Sequence, residues 1–229
     1  MPSEGDTIQI LGYIYRTDIF LCGNLFFKGV LFMKGTKRLN IYALCLCGIF
    51  IALATILSFL PIFEMPMGGS VTLASMLPIL FIGLKFGFRW GLGSSVTFML
   101  IQLLQSIIKG NVFVYCVGAG AVITCVLFDY VVPFSILGLS AFAKPKKGSN
   151  VNIPKVLIVF SILIIGRFFC HFITGMTIWG QWDDGFWGAF IYSLSYNGSY
   201  MGCELAITVV ASGLLLSSKQ IRKLICEGK

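Results

Sequence analysis

Charge is scarce in this 229-residue chain: Asp, Glu, Lys and Arg make up 11% of it, against 57% hydrophobic residues and a mean hydropathy of +0.92. Soluble domains carry about 25% charged residues, so this composition excludes an ordinary water-soluble globule and implies a polytopic membrane protein. Histidine is scarcer still. His171 stands alone, and Cys22, Cys45, Cys47, Cys116, Cys125, Cys170, Cys203 and Cys226 form no CxxC pair, which argues against a metal centre built from clustered ligands. Most of these cysteines fall in apolar runs and read as buried apolar side chains. There is no GxxxxGK[ST] phosphate loop, so no cofactor and no nucleotide hydrolysis is expected of this chain itself. No serine lies in a nucleophile elbow, and the lone histidine has no sequence-evident nucleophile beside it, so an enzyme is not expected. The net charge of +8 comes from basic residues spread over alternate loops without aromatic partners, a pattern that excludes nucleic acid as a partner.

What is present is apolar length. A helix needs about 20 apolar residues to cross a hydrocarbon core of roughly 30 Å. Six runs can be traced, Leu39 to Phe63, Ser75 to Phe88, Gly91 to Ile108, Ala119 to Phe142, Ile153 to Trp179 and Trp187 to Leu216. The expected fold class is an all-α polytopic membrane protein, a six-transmembrane-helix bundle. Lys34, Lys37 and Arg38 precede the first run, Lys85 and Arg89 sit at the second turn, Lys144, Lys146, Lys147 and Lys155 fill the fourth turn, and Lys219, Arg222, Lys223 and Lys229 follow the last run. The intervening loops hold Glu64, Lys109, Asp183 and Asp184. The positive-inside rule then places both termini in the cytoplasm. Residues 1–32 make no clean span and have no signal-peptide architecture; they are expected to be a disordered or interfacial extension upstream of a functional start at Met33. Residues 33–229 would form the membrane domain.

The stretch His171 to Asn197 holds the densest chemistry. His171, Gly175 and Trp179 follow i, i+4, i+8 steps and share one stripe of the fifth helix. The glycine would leave a gap in which a flat ligand meets the indole face and the imidazole. On the sixth helix Ser193, Asn197, Tyr200 and Glu204 form a polar stripe flanked by Tyr192 and Tyr196. Any one of the sixth-helix residues alone reads first as an interhelical hydrogen bond; the whole stripe facing the His171 stripe favours a pocket for a flat polar ligand. Asp129, with Tyr130 beside it, would accept hydrogen bonds from an amine or balance a cation. Arg167 and Glu204, both inside apolar runs, are expected to form a structural ion pair. Gly48 and Ala52 form a small-xxx-small patch on the first helix, open to either internal packing or the close approach of another helix.

These motifs resemble the substrate-binding S components of energy-coupling factor vitamin transporters, and within them the thiamine-specific S component. The resemblance spans Met33 to Lys223 and is strongest in RFFCHFITGMTIWGQW and WGAFIYSLSYNG, with further support from LPI at Leu77 to Ile79 and DYVVPF at Asp129 to Phe134. It implies a multi-pass protein of the bacterial cell membrane that captures thiamine or a related vitamin precursor. It also implies a transmembrane coupling subunit docked on Gly48 and Ala52, driven by two cytoplasmic ATPases. The implied ligand contacts are Asp129, Tyr130, His171, Gly175, Trp179, Tyr192 and Asn197. The chain departs from the family pattern in having Asp129 for a usual glutamate, and Gly69 and Phe98 near positions where the family carries tryptophan.

Overall fold

The computed structural model describes residues 40–65, 69–110, 116, 118–182 and 185–226. The N-terminal extension expected over residues 1–32 lies outside the described residues, as do Lys34, Lys37, Arg38, Asp183, Asp184 and Lys229. Helix α1 is Ile41–Ser58, followed by strands β1 (Pro61–Glu64) and β2 (Ser70–Thr72), then α2 (Leu77–Phe86), α3 (Phe88–Lys109), α4 (Ala119–Ala143), α5 (Ile153–Thr177), α6 (Gly185–Ser217) and α7 (Lys219–Cys226). Those from Tyr42 onward belong to one unit. The protein is helical and membrane-embedded, as its composition requires. Five helices, α1, α3, α4, α5 and α6, are long and apolar enough to cross a membrane, while α2 is shorter.

The second expected run, Ser75 to Phe88, is shorter as a helix, Leu77–Phe86. At 1.5 Å per residue α2 covers about 15 Å, roughly half a hydrocarbon core. Every residue from Leu77 to Lys85 is buried, so neighbouring helices rather than lipid surround it. Close packing of α2, α3 and α4 depends on missing side chains: a Cβ on Gly91 would lie 2.8 Å from the Gly138 carbonyl oxygen, and one on Gly138 would lie 2.6 Å from the Leu92 Cα. The first run is shorter as a helix too, because α1 ends at Ser58 instead of continuing to Phe63. Pro61 has no N–H to extend the helix and disfavours helical geometry at Leu60. The chain turns there into an antiparallel hairpin, with Phe63 opposite Val71 and Glu64 opposite Ser70.

Helix α4 is not uniform. Its middle, Val126–Val131, is a π-helical turn, closed by the Val132 N–H on the Leu127 carbonyl. Pro133 lacks the N–H that would otherwise close an α-turn on the Asp129 carbonyl, which favours the wider turn at this point. Helix α5 starts under an Asn152 cap whose side chain accepts from the Lys155 N–H at 3.0 Å.

The outside of the bundle is apolar, with Ile49, Ile108, Ile158, Ile162, Val210 and Leu214 all more than half exposed. In water such a surface would aggregate; in a bilayer it is solvated. One end of the bundle is basic and tied together. There Lys85 donates to the Leu224 carbonyl, Lys144 donates to the Phe86 carbonyl at 3.0 Å, and Arg222 donates to the Leu216 carbonyl at 2.8 Å. Helices α1 and α3 run from this end to the other, where Lys109 pairs with Glu64 of β1 at 3.0 Å.

Candidate functional site

Helices α5 and α6 pack closely along each other. Gly175 permits that approach, since a Cβ there would meet Ser193 Oγ and come within 2.6 Å of Asn197 Nδ2. The gap expected beside this glycine is thus filled by α6, and a flat ligand does not gain that space. Overpacking of this kind costs about 1–3 kcal/mol, so Gly175→Ala is expected to lower the thermal unfolding temperature of the detergent-solubilised protein. A variant as stable as the parent would show that the crossing has slack.

Next to this crossing lies a cavity of about 310 Å³, within the range of small-ligand pockets. All seven residues expected to form the site line it: Asp129, Tyr130, His171, Gly175, Trp179, Tyr192 and Asn197. They come from three helices. The π turn of α4 carries Asp129 and Tyr130, α5 and the turn after it carry His171, Gly175 and Trp179, and α6 carries Tyr192 and Asn197.

The polar groups are ordered by specific bonds. Asp129 Oδ1 accepts from Thr174 Oγ1 at 2.5 Å and lies 2.9 Å from His171 Nδ1. Both of these bonds fall on one carboxylate oxygen; the Cys125 thiol also bonds the carboxylate, whose roughly four lone-pair positions still leave capacity for a ligand donor. Tyr130 donates its hydroxyl to Ser106 Oγ at 2.6 Å, fixing α4 to α3. Asn197 is anchored rather than free: its amide donates to the His171 carbonyl and to Ser193 Oγ, each at 3.1 Å, and its oxygen accepts from Tyr200 at 3.0 Å. Ser193 donates to the Phe172 carbonyl at 2.7 Å, so its proton is directed away from the imidazole. Tyr192 and Tyr196 stack with ring centres 5.6 Å apart, giving the cavity an aromatic wall near Trp179. The arrangement offers a carboxylate, an imidazole and several π faces, a combination suited to holding a flat cation with hydrogen-bonding edges.

Arg167 and Glu204 do not form the direct ion pair expected of them. Among the described residues the ion pairs are Lys109 with Glu64 and His171 with Asp129. Arg167 donates to the Met76 sulfur and stacks 4.3 Å from the Phe134 ring centre, while Glu204 accepts from Thr72. Each is thus held in part, Glu204 by Thr72 at the end of β2 and Arg167 by Met76 just before α2 and by an aromatic face.

Comparison with known proteins decides the family. A profile described as Thiamine transporter protein (Thia_YuaJ) matches residues 44–224. The chain belongs to this family. It is 33% identical over 159 residues to the thiamine transporter ThiT of Bacillus subtilis, covering 66% of this chain and 77% of that one. With ThiT of Lacticaseibacillus paracasei it shares 28% identity over 141 residues, 57% of this chain and 61% of the relative. The solved structure of ThiT from Listeria monocytogenes superposes with a TM-score of 0.63 at 23% identity, covering 81% of this chain and 98% of that one, a likeness of fold. This member of the thiamine transporter family is accordingly a multi-pass bacterial membrane protein.

Several lining residues escaped the sequence reading. Ser58, Gln102, Gln105, Ser106 and Thr174 face the cavity, and Gln105 donates to Ser58 Oγ at 3.1 Å. Gln102, Gln105 and Ser106 fall on one side of an otherwise apolar helix, a signal of the same kind as the α6 stripe. Gly69, near a position where the resemblance implied tryptophan, packs on α6: a Cβ there would be 2.8 Å from the Tyr200 ring, so that ring occupies the space. Phe98 is fully buried against the edge of Phe134 and does not line the cavity.

Proposed function

We propose that this protein is the thiamine-binding subunit of an energy-coupling factor transporter, taking the vitamin from outside and presenting it to a coupling subunit driven by two partner ATPases. The observation that carries the reading is the convergence of Asp129, Tyr130, His171, Trp179, Tyr192 and Asn197 on one cavity in a member of the thiamine transporter family. In this reading Trp179 stacks on the pyrimidine ring, the second oxygen of Asp129 accepts from its amino group, and His171, Tyr192 and Asn197 hold the thiazolium and hydroxyethyl side. The chain binds and releases its ligand unchanged. The basic end of the bundle faces the cytoplasm under the positive-inside rule, which leaves the hairpin and the cavity toward the outer face.

The test is direct. Protein purified in detergent from vitamin-free medium is titrated with thiamine, its phosphates and its pyrimidine and thiazole halves while tryptophan fluorescence is followed. Saturable quenching by thiamine at far lower concentration than by either half is expected. Tighter binding of one isolated half would assign the protein to a precursor instead.

Helix α1 supplies the proposed coupling surface. Ala43, Cys47, Ala54 and Ser58 form its buried stripe, whereas Gly48 and Ala52 are exposed and nothing lies within 4 Å of a Cβ placed on Gly48. That exposure favours docking over internal packing, because close helix crossings tolerate no bulk. Replacing both residues with leucine is expected to abolish thiamine uptake by cells while the purified variant binds thiamine as the parent does. Lost binding with retained uptake complex would return the patch to internal packing.

A further inference from the structure

We propose that Glu204 is a positioning residue of the ligand site, acting through Thr72 to hold the Thr72–Met76 segment as one wall of the cavity. The inference rests on the thiamine-binding reading above. Glu204 is 3% exposed in the middle of the longest apolar helix, where a carboxylate persists only with a committed partner. Its Oε1 takes two donors from one residue, the Thr72 N–H at 2.5 Å and the Thr72 hydroxyl at 2.7 Å. A hydroxyl has one proton to give. With that proton directed to Glu204, the Thr72 oxygen is left as acceptor for the Ser75 N–H at 3.2 Å and the Ser75 hydroxyl at 2.7 Å. One carboxylate oxygen thereby sets the direction of the Thr72–Ser75 hydroxyl bond and holds both donors of Thr72.

The turn needs such a hold. Ala74 has φ +56°, the one non-glycine residue with positive φ among those described, and this region is disfavoured for a residue with a Cβ. Strained backbone persists only where surrounding contacts over-determine it. Here the Ala74 N–H bonds the Thr72 carbonyl and the Leu77 N–H bonds the Ala74 carbonyl, each at 2.9 Å, so the strained residue joins the Glu204 anchor to the first turn of α2. Thr72, Ser75, Met76 and Glu204 all line the cavity that holds Asp129 and His171. The second oxygen of Glu204 is buried without a hydrogen-bond partner, as is Arg167 Nε, so the hydrogen bonds the carboxylate makes are those to Thr72 in the wall segment. Releasing it lets the turn relax and displaces the wall without removing any group assigned to thiamine.

The substitutions that separate this role from others are Glu204→Gln, Glu204→Ala and Thr72→Val, each purified in detergent as the full chain. Glutamine keeps an acceptor oxygen for both Thr72 donors, so Glu204→Gln is expected to bind thiamine within about three-fold of the parent. Glu204→Ala is expected to weaken binding tenfold or more, and Thr72→Val three-fold or more. The combined variant should lose no more than Glu204→Ala, since both substitutions break one connection. Hydrogen exchange of the peptide covering residues 70–77, measured without ligand, should rise in Glu204→Ala and remain parental in Glu204→Gln. If Glu204→Ala fails to fold, Thr72→Val carries the test, because it leaves the buried carboxylate in place. Parental affinity in Thr72→Val and Glu204→Ala would overturn the proposal. So would a loss in Glu204→Gln that is confined to cationic thiamine and spares its neutral pyrimidine half, which would make Glu204 a counter-ion. A parent that binds no thiamine overturns the transport reading itself, and the ligand-free exchange pattern then still reports whether Glu204 holds the segment.

Discussion

Trp179→Ala is expected to weaken thiamine binding by ten-fold to a hundred-fold, measured by isothermal calorimetry on the detergent-solubilised protein. Trp179 follows the end of α5 at Thr177 and opens a short 3-10 turn, half-buried, with its ring on the cavity. Tyr192 and Tyr196 line the same cavity from α6, so a flat ligand between them meets π faces on more than one side. Aromatic pairing contributes about 0.5–1.5 kcal/mol beyond area burial, and a cation over an indole face about 0.5–2 kcal/mol. Their sum, roughly 1–3.5 kcal/mol, brackets the stated loss at about 1.4 kcal/mol per decade. Trp179→Phe should recover much of it, since it restores a π face with a weaker quadrupole. An alanine variant that binds thiamine like the parent would remove Trp179 from the site.

How much of this could be read from the sequence varies by element. The α6 stripe is legible because helical periodicity puts Ser193, Asn197, Tyr200 and Glu204 on one face and buried polar side chains stand out against an apolar background, and the same period joins His171 to Gly175 on α5; Trp179, expected on that stripe, lies past the helix end at Thr177 in a 3-10 turn. What fills the space beside Gly175 is something periodicity cannot supply: one helix fixes which face a glycine is on, but its partner decides what meets it, and here Ser193 and Asn197 do. The π turn at Asp129 was invisible, although Pro133 four residues on is its physical cause. Arg167 and Glu204 were paired by depth along two helices. Thr72 at the end of β2 and Met76 just before α2 intervene, the first bonding Glu204 and the second Arg167, and no helical pattern announces them. The hairpin shortened α1 for the same reason, as an apolar run through Pro61 reads as span until its backbone hydrogen bonds are followed.

Asp129→Asn is expected to weaken thiamine binding by about ten-fold to a hundred-fold while leaving the protein folded. The carboxylate already holds Thr174 at 2.5 Å and His171 at 2.9 Å through Oδ1, so α4 and α5 are joined at the cavity wall before any ligand arrives. An asparagine oxygen can still accept from Thr174, which keeps that connection and the fold. What the amide cannot do is present a charged acceptor to His171 and a second acceptor to the ligand's amino group at once, because its other arm is a donor. Hydrogen bonds to charged groups contribute about 1.5–3 kcal/mol, and one such bond to ligand accounts for the expected loss. Asp129→Glu separates charge from geometry: it keeps both acceptors, so its binding should lie between that of Asn and the parent. Thermal unfolding without ligand supplies the control. An Asp129→Asn protein that melts at the parental temperature and binds thiamine ten-fold or more weakly supports a ligand contact. One that binds normally assigns the carboxylate to His171, Thr174 and Cys125 alone, and one that cannot be folded assigns it to the structure of α4.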